Sequence, residues 1–514
     1  VTVCVIVAVI LAGTASIMYF SNRTPDILSQ LEEDESGIGR SISKSEPLPE
    51  VTLTFYFEDR EPKAAEEVLE YVEKEVKNSL NVKLDFQFNW DRPDGYLNAI
   101  QSRTASGQPC DAFFYSGGFP KDLKILSNEG TIKDITELFP RYAPNYFKMF
   151  TGDEIRAASV DGRIYAIPNR LPTTQMKCAI VREDLMKKYG VADIKSYEDY
   201  ESYLKAVKEN EPDMIPMAYY ETGIGLFAEA YGFVILDYTQ GLVYRWDDPE
   251  MKLQLWEQTP EYKKAIGKIH DWFTKGYISR QFPTIRIDET VVSTGKWASV
   301  IAGYGSDFEF NNLLARKNVT WRYKAYPLYP QKKSVRNSPL DGTMVIHSKS
   351  TNAERVLMFI DWLQSDQKNY DTLMYGIKGK HHLLEGNRIK LPDDVKPEES
   401  CFTWGWHWPF VNIDYERVST VIPEEYIKEY PRVIKNSTDY PPHMGFVPDY
   451  EPVIDAKVSR EMSFYRTEQS IYSGILTDAD IDAYIAERKD AGAEGLLVEI
   501  QSQLDLWKKN RKMD

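Results

Sequence analysis

Between residues 51 and 115 the chain switches repeatedly between two hydrophobic periods, and that alternation narrows the folds open to it. Residues 51–57, VTLTFYF, and 82–90, VKLDFQFNW, are rich in β-branched and aromatic residues at a period of two, the pattern of strands. Between them, 62–79, PKAAEEVLEYVEKEVKNS, opens on proline and repeats apolar residues at three-to-four spacing, the pattern of an amphipathic helix. A helix-like stretch at 95–105 leads to the apolar strand DAFFY at 111–115. Strands separated by helices predict an α/β lobe built on a largely parallel sheet, whose ligands sit beyond the carboxyl ends of the strands. Those ends are Glu58-Asp59-Arg60, Asn89-Trp90 and Ser116-Gly117-Gly118.

With 514 residues, the chain predicts two or three domains rather than one core. The pattern resumes after residue 300 with ASVIAGYGSDF (298–308), DGTMVIHSKS (341–350) and a helical NAERVLMFIDWLQSD (352–366). The last 40 residues read as helices with charged faces. At the other end, residues 1–20 form an uncharged apolar run of about bilayer-spanning length, a signal h-region or an uncleaved anchor. It lacks the basic flank that usually precedes such runs, as expected of a sequence that starts inside a longer one. LAGT at 11–14 has the form of a lipoprotein cleavage box with Thr14 in place of the lipidated cysteine. The polar 21–50 segment, with Glu32, Glu33, Asp34 and Glu35, reads as a flexible tether. The expectation is a protein facing outward from the cell membrane, tethered or secreted.

Several chemistries find no support. A net charge of −16 argues against nucleic acid as a partner. The four cysteines (4, 110, 178, 401) show no CxxC spacing and read as mostly buried thiols. The six histidines form no HExxH or HxH pattern, and His381-His382, being adjacent, read as surface or loop residues. Neither a GxSxG elbow nor a Walker loop nor a GxGxxG fingerprint is present, so no cofactor, metal or catalytic residue is expected. Asp111, ahead of an apolar strand, reads as a structural hydrogen-bond partner. YSGGFP at 115–120 is either a tight strand-to-helix turn or a place where backbone amides approach a ligand. A glycosidase carboxylate pair could be hidden among the 78 acidic residues.

Four strings together carry a resemblance: DGRIYAIPN (161–169), VREDLMKKYGV (181–191), SYEDYESYLKAVKE (196–209) and SKSTNAERVLMFIDWLQSDQKNYDTLMYGIKGKHH (348–382). With the ending AGAEGLLVEIQSQLDLW (491–507), their order resembles extracellular solute-binding protein family 1, in particular its large oligosaccharide-type lipoproteins of Gram-positive ABC importers. The resemblance spans about 51–510, and the missing lipobox cysteine is its main departure. It implies a two-lobed periplasmic-binding-protein-like α/β fold with a hinge and an interlobe cleft. By analogy lobe one is 51–178 plus 304–345, and lobe two 179–303 plus 346–514. It further implies a monomer that binds an oligosaccharide or other small solute by hinge closure and delivers it to permease subunits. A secreted carbohydrate-active enzyme and a tethered ligand sensor of the same fold are the alternatives.

Thirty-three tyrosines and eleven tryptophans suit a polar, ring-shaped ligand. In CFTWGWHWPF (401–410) five aromatics fall on alternate positions, so a strand there would carry them on one face, as core packing or as a platform for sugar rings. Gly405 and Pro409 weigh against a regular strand. The resemblance returns this region to the cleft, which makes Trp404, Trp406 and Trp408 candidate ligand contacts. The others are Glu58, Asp59, Arg60, Trp90 and Ser116 at the strand ends, Asn169 and Arg170 after YAIP, Tyr219 and Tyr220 in lobe two, and Tyr304 and Asp307 at an expected hinge return. Arg60 and Arg170 would suit an acidic sugar.

Overall fold

The structure is a computed structural model that describes residues 48–89, 93–116, 123–170, 176–218, 225–279, 294–316, 321–328, 338–393, 404–420 and 438–511, together with 292, 319, 334–336, 422, 424, 427 and 428. The apolar run at 1–20 lies outside these, and among the described residues no helix is long and apolar enough to cross a membrane.

The predicted β–α alternation builds a five-stranded sheet in the order Val82–Phe88, Val51–Phe57, Ala112–Tyr115, Thr343–Ile346, Ala166–Ile167. The first three strands run parallel, and Thr343–Ile346 is antiparallel to both its neighbours. Val51–Phe57 is buried along both faces from Leu53 onward, as its unbroken apolar and β-branched run requires. Val82–Phe88, at the sheet edge, alternates instead. The helix Ala65–Val76 covers the sheet with Ala65, Val68, Leu69, Val72 and Val76. Asp111 accepts hydrogen bonds from the Thr54 amide (2.9 Å) and the Ser350 hydroxyl (2.6 Å), the structural duty expected of it.

A second body surrounds the strand Lys177–Arg182, which pairs antiparallel with Ser299–Gly303 on one side and Tyr323–Pro327 on the other. Its side chains alternate between two cores: Ala179 and Val181 face the helices Glu183–Tyr189, Tyr197–Asn210 and Pro260–Thr274, while Cys178 and Ile180 pack with Phe310 and Leu314. Ser196 caps the helix Tyr197–Asn210 by accepting from the Asp199 amide. A three-stranded sheet, Phe233–Asp237, Leu242–Arg245 and Gln254–Leu255, packs against the terminal helix Ala493–Arg511 through Leu496, Ile500 and Leu504.

These contacts move two expected boundaries. The strands Ser299–Gly303 and Tyr323–Pro327 belong with Lys177–Arg182, so most of 304–327, expected in lobe one, packs in lobe two. The helices Ala353–Ser365 and Gln367–Tyr375, expected in lobe two, bury Val356, Phe359, Ile360, Tyr370 and Leu373 in the first core. The reason is the strand Thr343–Ile346: once it joins the first sheet, the apolar face of the helix that follows has that sheet to cover. His381 and His382 are buried rather than at the surface. Cys110 and Cys178 are buried free thiols, while Cys4 and Cys401 lie outside the described residues.

Residues 404–410 form a helix, not a strand. On a helix, positions two apart lie about 200° apart and positions four apart share a face. Trp406 and Phe410 therefore turn together into the first core, where Trp406 is 0% exposed and meets Phe86 and Phe88 with ring centroids at 5.6 and 6.3 Å. Phe410 lies edge-on to Phe57 at 5.9 Å. Among the described side chains, Trp406 and Phe410 thus share one helical face that Trp408 does not.

Candidate functional site

The chain leaves the first sheet at Ile167 and enters the second at Lys177. It leaves the second at Pro327 and re-enters the first at Thr343. Both crossings meet the first sheet at the edge where its parallel strands have their carboxyl ends, the first leaving at Ile167 and the second arriving at Thr343, so that edge faces the second lobe.

Along this edge the strands end in polar residues. The Asn89 amide donates to the Phe57 carbonyl (2.9 Å) and aligns the first two ends. Glu58 follows Phe57 and is half-buried; burial, reinforced by the Asp59 carboxylate, pushes its pKa up to about 7. Asp59 is largely buried and accepts from the Arg60 amide (2.6 Å). The Ser116 hydroxyl donates to Asp341 Oδ1 (3.2 Å). Asn169, only 2% exposed, donates through Nδ2 to the carbonyls of Asp341 (2.8 Å) and Gly342 (2.5 Å), and its amide meets the Pro339 carbonyl (3.0 Å). Asn169 thus fixes the turn at 339–342 from beneath.

Against that turn rests Trp408, partly exposed where Trp406 and Phe410 are buried. Gly342 has φ +75°, and a Cβ built on it would lie 1.4 Å from Trp408 Cδ1. The indole therefore lies directly on the Gly342 backbone, where a side chain would exclude it. The helix bearing Trp408 is held from its other side: His407 Nε2 lies 3.0 Å from Glu416 Oε1, which also accepts from the Tyr370 hydroxyl (2.5 Å). Burial raises the Glu416 pKa, but His407 and these hydrogen bonds outweigh it and hold the carboxyl below its ordinary value. The network docks residues 412–417 on the helix Gln367–Tyr375, with Arg417 Nε paired to Asp371 at 2.7 Å.

The second lobe's facing edge contains Lys177, Tyr304 and Asp307. Gly303 pairs with Lys177, and the Tyr304 amide donates to the Met176 carbonyl (2.9 Å). Asp307 is 4% exposed and accepts from the Ala325 amide (3.1 Å); burial pushes its pKa up to about 6. It pins the start of the helix Ser306–Arg316 to the neighbouring strand. Close to Lys177, the buried Glu229 accepts from the Ser334 hydroxyl (2.7 Å), and burial pushes its pKa up to about 7. Ser334–Val335, within the second crossing, pairs in parallel with Thr438–Asp439.

Of the predicted residues, Glu58, Asp59, Ser116 and Trp408 meet on the first edge, with Asn169 behind them. Tyr304 and Asp307 lie on the second. Trp406 is a core residue, its Nε1 donating to the Leu373 carbonyl (3.2 Å), which corrects the expectation of a ligand contact. Arg170 is occupied by the Met149 carbonyl (2.6 Å), Asp414 (2.7 Å) and Asn412 (3.3 Å). Arg60 is exposed in an open trough lined also by Glu61, Glu66, Glu70 and Glu73. Trp404 begins the helix, its side chain undescribed, and Trp90, Tyr219 and Tyr220 lie outside the described residues. Asp341, Gly342, Lys177 and Glu229 were missed. The Asp-Gly pair ahead of an apolar strand was the available signal for the first two, since an antiparallel strand inserted in a parallel sheet begins at the carboxyl edge.

Among the described residues no group of His, Cys, Asp or Glu could hold a metal ion.

Residues 60–370 match the family described as bacterial extracellular solute-binding protein. A carbohydrate ABC transporter substrate-binding protein of Streptococcus pneumoniae is 23% identical over 487 residues, covering 92% of this chain and 94% of that relative. The fructooligosaccharide ABC transporter substrate-binding protein FusA of the same species is 25% identical over 459 residues, 79% of this chain and 82% of that protein. Among solved structures, the N-glycan transport solute-binding protein NgtS of Streptococcus pneumoniae superposes with a TM-score of 0.74 at 21% identity, covering 90% of this chain and all of that one. Its complex with Man5GlcNAc gives 0.67 at 22% identity.

Proposed function

The chain belongs to the bacterial extracellular solute-binding proteins, and on that premise we propose that it captures an oligosaccharide between its lobes and hands it to the permease of an ABC importer. The observation that carries this reading is the first-lobe edge. There, one partly exposed indole, Trp408, lies on the turn next to Asp341, in line with the strand ends that bear Ser116 and Glu58. A sugar ring has an apolar face of C–H groups, which an indole covers, and a rim of hydroxyls, which carboxylates and amides bind. The relatives and neighbours of matching length that carry oligosaccharides support the same class.

In this reading the lobes close on the ligand by bending where the chain crosses between the sheets. The protein works as a monomer, its apolar N-terminal run tethers it to the outer face of the membrane, and no bond of the ligand is broken. The test is a titration of the full chain with manno- and fructo-oligosaccharides, followed by thermal melting and chromatography of the ligand. A ligand at about 100 times its dissociation constant raises stability by roughly 2.7 kcal/mol, a readable shift. A saturable shift with the ligand recovered whole is expected. Shortened ligand would identify a glycosidase instead, and no shift with any glycan would remove sugars from consideration.

A further inference from the structure

We infer that the second lobe holds a site for one small inorganic anion of chloride's class, beside a buried pair of arginines. The site lies inside that lobe and asks nothing of the oligosaccharide reading.

The first observation is charge. The helices Ile454–Ser473 and Asp478–Asp490 bring Arg460 and Arg488 onto Glu257, in the single turn Trp256–Gln258. All three side chains are buried. Arg460 Nη2 lies 2.6 Å and Arg488 Nε 3.3 Å from the same carboxylate oxygen, Glu257 Oε1. Two cations thus share one carboxylate. On the same helices Glu461 pairs with Lys457 (2.8 Å) and Glu487 with Arg466, so neither answers the excess. Arg460 also donates to the carbonyls of Arg488 (2.6 Å) and Gln240 (2.5 Å), and Arg488 to that of Arg460 (2.6 Å). Carbonyls satisfy hydrogen bonds without cancelling charge, and an uncompensated buried charge is costly. Burial, and with it Arg488, lowers the Arg460 pKa against the pull of Glu257.

The second observation is space lined by donors. A cavity of about 20 Å³ opens against this cluster, with Gly241, Trp256, Glu257, Tyr262, Tyr484 and Arg488 among its walls. One small guest needs about 10–15 Å³. Trp256 Nε1 and Tyr262 Oη are buried and have no hydrogen-bond partner among the described residues. An indole N–H can only donate, and a phenol O–H donates readily, so the guest that suits them is an acceptor. Water accepts these bonds and leaves the positive charge standing. A halide accepts them and cancels it, whereas sulfate or phosphate is too large for the space. The carboxylate on this wall, Glu257, is itself held through Oε1 by both guanidinium groups.

Thermal melting of the full chain in chloride-free buffer tests this. Sodium gluconate is replaced stepwise by sodium chloride or bromide at constant ionic strength. With either halide the melting temperature should rise saturably, by roughly 2–4 °C. Tyr262→Phe removes one donor and Trp256→Phe the other. Each should lose most of that rise, whatever its own melting temperature in gluconate. Bromide located in a crystal by anomalous scattering should lie between Arg488 and the Tyr262 hydroxyl. Equal melting in gluconate and halide overturns the inference and assigns the cavity to water. A rise that survives both substitutions, or bromide found only elsewhere, overturns it as well.

Discussion

Trp406 and Trp408 stand two residues apart on one helical turn and differ in burial: the first lies inside the first core, the second is partly exposed at its margin. Trp406 fills the first core against Phe86 and Phe88, whereas Trp408 rests on Gly342 at the cleft-facing edge. Their truncations should therefore separate. Trp406→Ala leaves a large void in a packed interior and should cost about 3–5 kcal/mol in urea unfolding. Trp408→Ala should cost clearly less and lower ligand affinity instead. Gly342→Ala tests the seat of Trp408 from below, since its methyl would occupy the indole's place and its φ of +75° strains any side chain. Displacement of the ring should appear as a red shift in tryptophan emission and a lower melting temperature. Equal stability losses for the two tryptophans would refute the assignment of one to the core and one to the cleft.

The short helix Gly225–Ala230 and the strand Ser334–Val335 meet at a buried polar contact, from Ser334 to Glu229. Burial raises the Glu229 pKa from 4.5 to about 7. Between those values the folded protein holds a proton that the unfolded chain has released. Stability from this group is therefore present below about pH 4.5 and is lost as pH rises to about 7. Glu229→Gln keeps an acceptor for Ser334 and removes the titration. Its stability should fall less between pH 5 and pH 7.5 than that of the parent, by up to about 3 kcal/mol in denaturant unfolding. Parallel curves for the two proteins would show that Glu229 does not titrate in this range. At the same scale, the helix Trp404–Phe410 shows why a period of two is not enough to identify a strand. With Trp406 and Phe410 one turn apart and a ready apolar pocket on the first sheet, tertiary packing decides the conformation.

Across the molecule, the terminal helix and the segment before it bridge the lobes on several side chains. Arg511 pairs with Asp153 at 2.9 Å, Asp449 with Lys124 at 3.0 Å, and Tyr440 donates to Glu154 at 2.5 Å. Glu154 and Lys124 belong to helices of the first lobe, while Leu496, Ile500 and Leu504 anchor the terminal helix in the second. The two ion pairs are half-exposed, so each is worth at most about 1 kcal/mol. That is small against the stability of either core but large against the balance between two lobe arrangements. Arg511→Ala combined with Lys124→Ala should leave the melting temperature nearly unchanged and shift the interlobe distance seen by small-angle scattering or paired spin labels. An unchanged distance distribution would mean that the crossings alone set the lobe separation.

Much of the architecture was legible because it follows from local periodicity. The strand Val51–Phe57, the helix Ala65–Val76 and the edge strand Val82–Phe88 each announce themselves by which residues recur at two or at three-to-four spacing, and the carboxyl-edge rule then points to Glu58 and Ser116. The order of the motifs carried the family. What the sequence could not determine is which sheet a segment joins when its own pattern fits either. Thr343–Ile346 pairs with Ala112–Tyr115, and that pairing alone draws the helix Ala353–Ser365 into the first lobe and sets Asp341 and Gly342 on the cleft edge. The fates of Trp406, Trp408 and Arg170 depend likewise on partners up to 244 residues away. Such partners meet only when the chain has folded, so a local pattern determined the elements and the tertiary contacts decided which of their side chains enter a core and which stay at an edge of the sheet.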